Sequence, residues 1–322
     1  PYPQQASLAI VYLLWSAGLV MLTALLRREF GLQRLAAILA WFVLAGGLVN
    51  AVAGILQHYE WRGPFESVIA TKLSYQVYGN LGQPNHFASH IVLSLVSLLS
   101  LYAMGRLSVK WIIPAAAILL FVLSVSGSRS AWVYLAAVAA LSILAYRAAR
   151  SDGARRAMVL AIALLPAFAA THFIASLPWL APPTLHTTVI DRMFALAATP
   201  SERLQLWRVA WQMFLDHPVG GTGWGQFAWH NFMSTVASGG MTLTGLYNHA
   251  HNLFIHLLAE TGIAGAGIAA AGLFLWVRGA WPALPRSGGM WIWGCAAVLG
   301  AHSMLEYPLW NAHFLGIACA VA

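Results

Sequence analysis

Charge is what this sequence has least of: 8% of its 322 residues are charged, against about a quarter in an ordinary soluble domain. With 60% hydrophobic residues as well, a water-soluble globule is excluded. Cysteine is nearly absent. The two present, Cys295 and Cys319, lie in apolar stretches, where a thiol behaves as a small buried hydrophobe, so they define neither a disulfide framework nor a compartment. There is no DxD pair for a metal-bound nucleotide sugar, no P-loop and no Gly-x-Ser-x-Gly nucleophile elbow, the usual carriers of those three chemistries. Fixed-period repeats and low-complexity tracts are missing too.

What the sequence has in place of charge is long apolar runs, at residues 6–26, 35–56, 87–104, 111–127, 131–146, 157–176, 252–277 and 290–305, with a shorter one at 314–322. Most match the roughly 20 residues needed to cross about 30 Å of hydrocarbon. The expected fold is all-α, a polytopic helical membrane protein with a single transmembrane domain over 1–322. The chain opens on proline and its last run stops midway, so it is expected to be part of a longer chain, and a signal peptide cannot be judged from it.

The net charge of +8 is sorted by loop rather than read as a nucleic-acid signal. Alternate connections hold Arg27, Arg28, Arg34, Arg106, Lys110, Arg147, Arg150, Arg155, Arg156, Arg278 and Arg286 against only Glu29 and Asp152. The other set holds Arg62, Lys72, Arg129, Arg192, Arg203 and Arg208 against Glu60, Glu66, Asp191, Glu202, Asp216, Glu260 and Glu306. The positive-inside rule places the first set in the cytoplasm. The 57–86 loop, the Ser128 to Ser130 turn and the long 177–250 segment are then external.

Within 177–250, a proline-rich lead-in, SLPWLAPPT, precedes a helix signature with Ser201 as N-cap and Glu202 in the first turn,. The helix is expected to be amphipathic, with its tryptophans at headgroup depth, and to end at His217–Pro218. GGTGWGQF follows, a glycine-rich turn that either brings backbone N–H groups to a ligand or is a plain loop.

Ionisable groups in apolar runs are costly and mark function by default. Glu260, Glu306, Arg129 and His302 together favour a hydrophilic pocket on the external side. Arg129, Arg203 and Arg208 would offer phosphate or pyrophosphate a rigid cationic fork, and histidine can take a proton near neutral pH. The run YNHAHNLFIHLLAETG, residues 247–262, supplies His249, His251 and His256. A cationic clamp beside a general base suits transfer of a group from a phosphorylated lipid to a hydroxyl. His249 and His251 have metal-ligand spacing, but no third ligand is fixed nearby, Glu260, His302 and His313 being only candidates, and no metal site is expected.

These residues resemble the bacterial O-antigen ligase and polymerase superfamily. In its signature a histidine followed by Asn, Ser or Gln precedes a glycine after nine intervening residues; here they are His251, Asn252 and Gly262. GSRSAW around Arg129 and SERLQLWRVAWQMFLDHPVGGTGWGQF around Arg203 also match. GNLGQPNHFA at 79–88 and HSMLEYPLWNAHFLG at 302–316 resemble one branch, the protein O-oligosaccharyltransferases that glycosylate pilins.

The resemblance implies a multi-pass inner-membrane glycosyltransferase that moves a glycan from undecaprenyl pyrophosphate to an acceptor on the periplasmic side, without cofactor or metal. By motif position His251 would be the general base, and Arg129 and Arg203 the pyrophosphate clamp, with Arg208 added here as a further cation. His249 and Asn252 would support the base. Gln83, Asn85, His86 and Glu306 to Trp310 would serve the acceptor or glycan side, while His256 is expected to be a packing histidine. The expected partners are the lipid-linked glycan, an acceptor protein such as pilin, and membrane lipid; nucleic acid is not one. Two features depart from the patterns: Gly265 stands where the lipopolysaccharide ligase branch often has threonine, and Asn311–Ala312–His313 follow EYPLW where aromatics are expected. Alternatives are an O-antigen ligase or polymerase acting on lipid A core or nascent O-antigen, a transporter or flippase, and a non-enzymatic binder of lipid-linked sugars.

Overall fold

The computed structural model describes residues 3–61, 63–72, 76–180, 202–237, 247–286 and 288–322. Among these, the regular elements are all helical: α1 (Pro3–Phe30), α2 (Leu32–His58), α3 (Pro84–Ala103), α4 (Val109–Val125), α5 (Ser130–Ala149), α6 (Asp152–Ala175), α7 (Glu202–Asp216), α8 (Phe227–Ala237), α9 (Leu253–Ala280), α10 (Gly289–Ser303) and α11 (Ala312–Val321). Each apolar run of the sequence becomes a helix. Six described helices are long and apolar enough to cross a membrane, while α4 and α11 are apolar but shorter. The chain is a multi-pass membrane protein. The outer helices expose the apolar side chains that face lipid in such a fold, among them Leu13, Leu14, Met21 and Leu25 of α1.

The centre of the bundle is α3, buried from His86 to Leu101 along most of its length. It sits close to α2 because Gly47 of α2 leaves room for the Ser94 side chain: a Cβ there would lie 1.8 Å from the Ser94 Oγ. Small residues at crossings are how membrane helices gain packing when no hydrophobic force separates them from lipid. The Ser94 hydroxyl donates within its own helix to His90 O (2.9 Å) and is also placed 3.1 Å from Val43 O of α2. On α10, Trp291 donates its indole N–H to Ser97 Oγ of α3 at 2.9 Å, which ties the last third of the chain to the centre.

Over one end of the bundle lie α7 and α8. As expected, α7 stops before His217–Pro218. Its buried strip, Leu206, Ala210 and Met213, packs with Phe227, Ala250 and Ala259, while Leu204, Trp211 and Leu215 stay exposed. The two tryptophans therefore part company: Trp211 faces outward, whereas Trp207 turns inward and donates to Ala250 O at 3.0 Å. Ser201, the expected N-cap, and residues 181–200 and 238–246 of the 177–250 segment lie outside the described residues.

The break in α9 at Gly262 explains the glycine of the signature. Gly262 has φ 61° and ψ −166°, a region open essentially to glycine alone. At the break the helix ladder is handed to the glycine-rich turn. The carbonyls of Ala259 and Glu260 accept from Thr222 N (3.0 Å) and Gly223 N (2.9 Å), and the amides of Ile263 and Ala264 donate to Pro218 O (2.9 Å) and Val219 O (3.1 Å). A Cβ on Gly262 would lie 2.3 Å from Val219 O, and one on Gly221 2.3 Å from the Glu260 carbonyl carbon, so this is backbone against backbone.

Candidate active site

Five described segments bring polar side chains to the end of the bundle under α7. Gln83 and Asn85 stand at the N-terminus of α3, Ser128 and Arg129 just before α5, and Arg203 in the first turn of α7. His251 precedes Asn252, the N-cap of α9, and Glu306 lies between α10 and α11. Asn252 caps through its side chain, which accepts from Ile255 N at 3.2 Å, and its amide reaches Met304 O at 3.4 Å. This fastens the histidine-bearing turn to the loop that carries Glu306. His251 itself is held at φ 52°, left-handed backbone that a non-glycine residue adopts at a cost and that recurs at functional sites.

Glu306 is the hub. Its Oε1 accepts from Asn85 Nδ2 (2.7 Å) and Arg203 Nη2 (2.9 Å), and its Oε2 meets His251 Nδ1 (2.6 Å) and Gln83 Nε2 (3.3 Å). Asn85 is fixed from behind by the Ser128 hydroxyl, which donates to its Oδ1 at 2.7 Å. The carboxylate is only 2% exposed. Burial alone would raise its pKa, but the hydrogen bond and charge of His251, the Arg203 guanidinium and the Gln83 amide outweigh it and hold Glu306 at about 2,. An ionised carboxylate can only accept, so His251 Nδ1 carries the proton and donates it. Nε2 is then the nitrogen left to exchange a proton with a substrate, and among the described residues nothing hydrogen-bonds it.

Arg129 sits one residue beyond Ser128, exposed, and with no ion-pair partner among the described residues. Arg208 is exposed as well. Five residues along a helix turn it roughly 140° from Arg203, so it does not join the cluster that Arg203 enters. His249 points elsewhere than His251: its ring packs on Tyr307 (4.4 Å), Trp310 (4.7 Å) and His256 (5.1 Å). Burial, with the charges of His256 and His251, lowers its pKa to about 3. His256 is buried in the same aromatic group, with its Nε2 3.6 Å from Glu260 Oε2. His86 is buried beside His302 (5.3 Å) and Tyr307 (5.7 Å). Among the described residues no three His, Cys, Asp or Glu side chains are grouped as a metal site requires.

Glu260 and Glu306 take different hydrogen-bond partners, and His256, whose Nε2 lies 3.6 Å from Glu260 Oε2, lines the same cavity as Glu306. The Glu260 carboxyl accepts from Gly225 N (2.8 Å) and Phe227 N (3.0 Å), capping the start of α8 with acceptor oxygens where the helix leaves N–H groups unpaired. Four N–H groups of the glycine-rich turn, those of Thr222, Gly223, Gly225 and Phe227, thus go to α9 carbonyls and to this side chain. Two contributors escaped the sequence reading. Ser128 was legible only as the hydroxyl preceding Arg129 in GSRSAW, and Trp224, stacked on Trp310 at 6.0 Å, lay inside the glycine-rich turn.

A polytopic helical bundle with a His–Glu pair and an arginine under an outer helix is the class these observations define. Comparison with known proteins agrees with the resemblance read from the motifs. A family model described as O-antigen ligase matches residues 114–270, one described as protein glycosylation ligase matches 77–102, and the C-terminal part of a virulence factor membrane-bound polymerase matches 290–322. The chain is also similar to a general O-oligosaccharyltransferase from Acinetobacter baylyi (strain ATCC 33305 / BD413 / ADP1), 24% identical over 287 residues, 88% of this chain and 49% of that protein. The chain therefore spans about half the length of the curated relative it matches.

Proposed function

We propose that this protein transfers a glycan from undecaprenyl pyrophosphate to serine or threonine hydroxyls of exported proteins such as pilins, at the periplasmic face of the bacterial inner membrane. The observation that carries the reading is the hydrogen bond from His251 Nδ1 to Glu306 at 2.6 Å, which leaves Nε2 as a base beside a guanidinium. The acceptor hydroxyl gives its proton to Nε2 as its oxygen bonds to the anomeric carbon. The bond from that carbon to the phosphate oxygen breaks, and the electron pair leaves with the pyrophosphate, whose charge Arg203 and Arg129 take up. Gln83 belongs on the acceptor side: its Oε1 is buried without a hydrogen-bond partner and can receive a donor from an incoming chain. Arg208 has a peripheral part, attracting the anionic donor from the outer face of α7.

The similarity to an O-oligosaccharyltransferase and a protein glycosylation ligase supports a protein acceptor. The longer match to the O-antigen ligase model favours the second reading, transfer to lipid A core or to growing O-antigen, with the same base and clamp. The test is transfer in vitro by the purified full-length protein, given an undecaprenyl-pyrophosphate glycan and either a pilin-type protein or lipid A core. Glycosylated pilin that is lost in His251→Ala supports the first reading, and product on lipid A core alone supports the second. Folded wild-type protein that binds the donor and transfers to neither would replace both with a binding function.

A further inference from the structure

Resting on the reading of His251 as the base, we propose that Glu306 is a positioning residue shared between base and clamp. The pyrophosphate competes with it for Arg203, so that arrival of the donor strengthens the base. The geometry distinguishes the four donors on this carboxylate. Gln83 and Asn85 stand at the start of the most buried helix, and Asn85 is held again by Ser128. The His251 side chain is 12% exposed and sits in a turn fastened by the Asn252 cap. Arg203 is 33% exposed and reaches in from α7, outside the bundle. It is the donor best placed to let go.

The electrostatics give the exchange a direction. While Arg203 shares the carboxylate, its positive charge opposes a second positive charge at His251, and like charges at close range disfavour protonation. A pyrophosphate offers the guanidinium a bidentate partner of higher charge than one carboxylate oxygen. With Arg203 drawn onto the phosphates and neutralised there, Glu306 faces His251 with its charge undivided. The imidazolium formed when Nε2 takes the acceptor proton is then stabilised through Nδ1–H. When the product leaves, that proton passes to the departing pyrophosphate oxygen or to water, and Arg203 returns to Glu306. The acceptor is activated only where a donor is already bound.

The experiment separates affinity from turnover in Glu306→Gln, using the full-length protein and undecaprenyl-pyrophosphate glycan. The amide keeps the shape but not the charge that competes for Arg203. The shared carboxylate predicts donor binding tighter by about threefold or more, as for loss of a partly exposed ion pair, with kcat lower by about 10²-fold or more. A structural role predicts weaker binding and lower turnover together, and that result overturns the proposal, as does an unchanged kcat. A second measurement serves if that variant does not fold. Infrared difference spectra of wild type on adding undecaprenyl pyrophosphate should show a carboxylate shift that is absent in Arg203→Gln, and no shift in wild type refutes the exchange. The base reading fails separately, if His251→Ala transfers at the wild-type rate. Loss of transfer in His251→Ala with wild-type kcat in Glu306→Gln sinks only the shared carboxylate.

Discussion

Replacing Gly262 by alanine is the sharpest perturbation of the frame that holds the site. The residue sits at φ 61° and ψ −166°, and a side chain in such a region costs about 1–3 kcal/mol. Its Cβ would lie 2.3 Å from Val219 O and 2.7 Å from Gly221 N, both backbone, so no rotamer change relieves the clash. The turn has to withdraw, and the four backbone bonds between 218–223 and 259–264 loosen at about 0.5–1.5 kcal/mol each. Loss of two of them, added to the strain, gives about 4 kcal/mol, a large part of a stability of about 5–15 kcal/mol. Thermal unfolding in detergent and hydrogen exchange at Thr222, Gly223, Ile263 and Ala264 should show a large fall in midpoint and loss of protection at those amides. Gly267 is the control: it lies in the same helix with nothing within 4 Å of its Cβ position, so Gly267→Ala should be neutral or stabilising by up to about 1 kcal/mol. A Gly262→Ala protein that melts like wild type with these amides still protected would refute the reasoning.

Glu260→Gln puts an NH₂ where one of two backbone amides now finds an acceptor. It should cost about 1–3 kcal/mol in thermal unfolding while leaving kcat near wild type below the transition; a fall in kcat without loss of stability would contradict the capping role. Arg129→Ala removes an exposed guanidinium that has no ion-pair partner among the described residues, so donor KM should rise about tenfold or more with the melting temperature unchanged. For His249 the pKa is lowered, from the ordinary histidine value of 6.5 to about 3, so the unfolded chain takes up the proton first. The stability this neutral ring contributes is complete above about pH 6.5 and erodes as pH falls toward 3. Unfolding midpoints of His249→Gln should therefore fall less steeply than wild type over that window.

How the apolar runs become helices was legible because a span must be long and uncharged to cross hydrocarbon. That the site residues share one end was legible too, because they all fall in alternate connections. Which of them touch was not. Asn85 and Glu306 are 221 positions apart, and nothing in their spacing reports which way each helix is turned. Glu260 and Glu306 look alike in sequence, each an acid in apolar surroundings, yet one accepts its hydrogen bonds from backbone amides, with His256 beside it, and the other from side chains. Arg203 and Arg208 were separable in principle by helical angle, but only once α7 is known to run through both. The glycine of the signature was read as a motif position; its reason, a helix opened to receive another segment's backbone, depends on a partner about 40 residues earlier.

Helix direction accounts for where the site lies. Every described helix that runs away from this end starts here, and the site residues sit at those starts: Gln83 and Asn85 at α3, Arg129 at α5, His251 and Asn252 at α9, with Glu306 five residues before Asn311, the N-cap of α11. Each N-terminus presents free N–H groups and roughly half a positive charge. Arg129 and Arg203 add two full ones. That end of the bundle is built to hold negative charge, and the carboxylate at its centre is a single, fixed anion that matches only part of it. The site therefore lies where helix starts and cationic side chains converge, and Glu306 is the anion that they hold there.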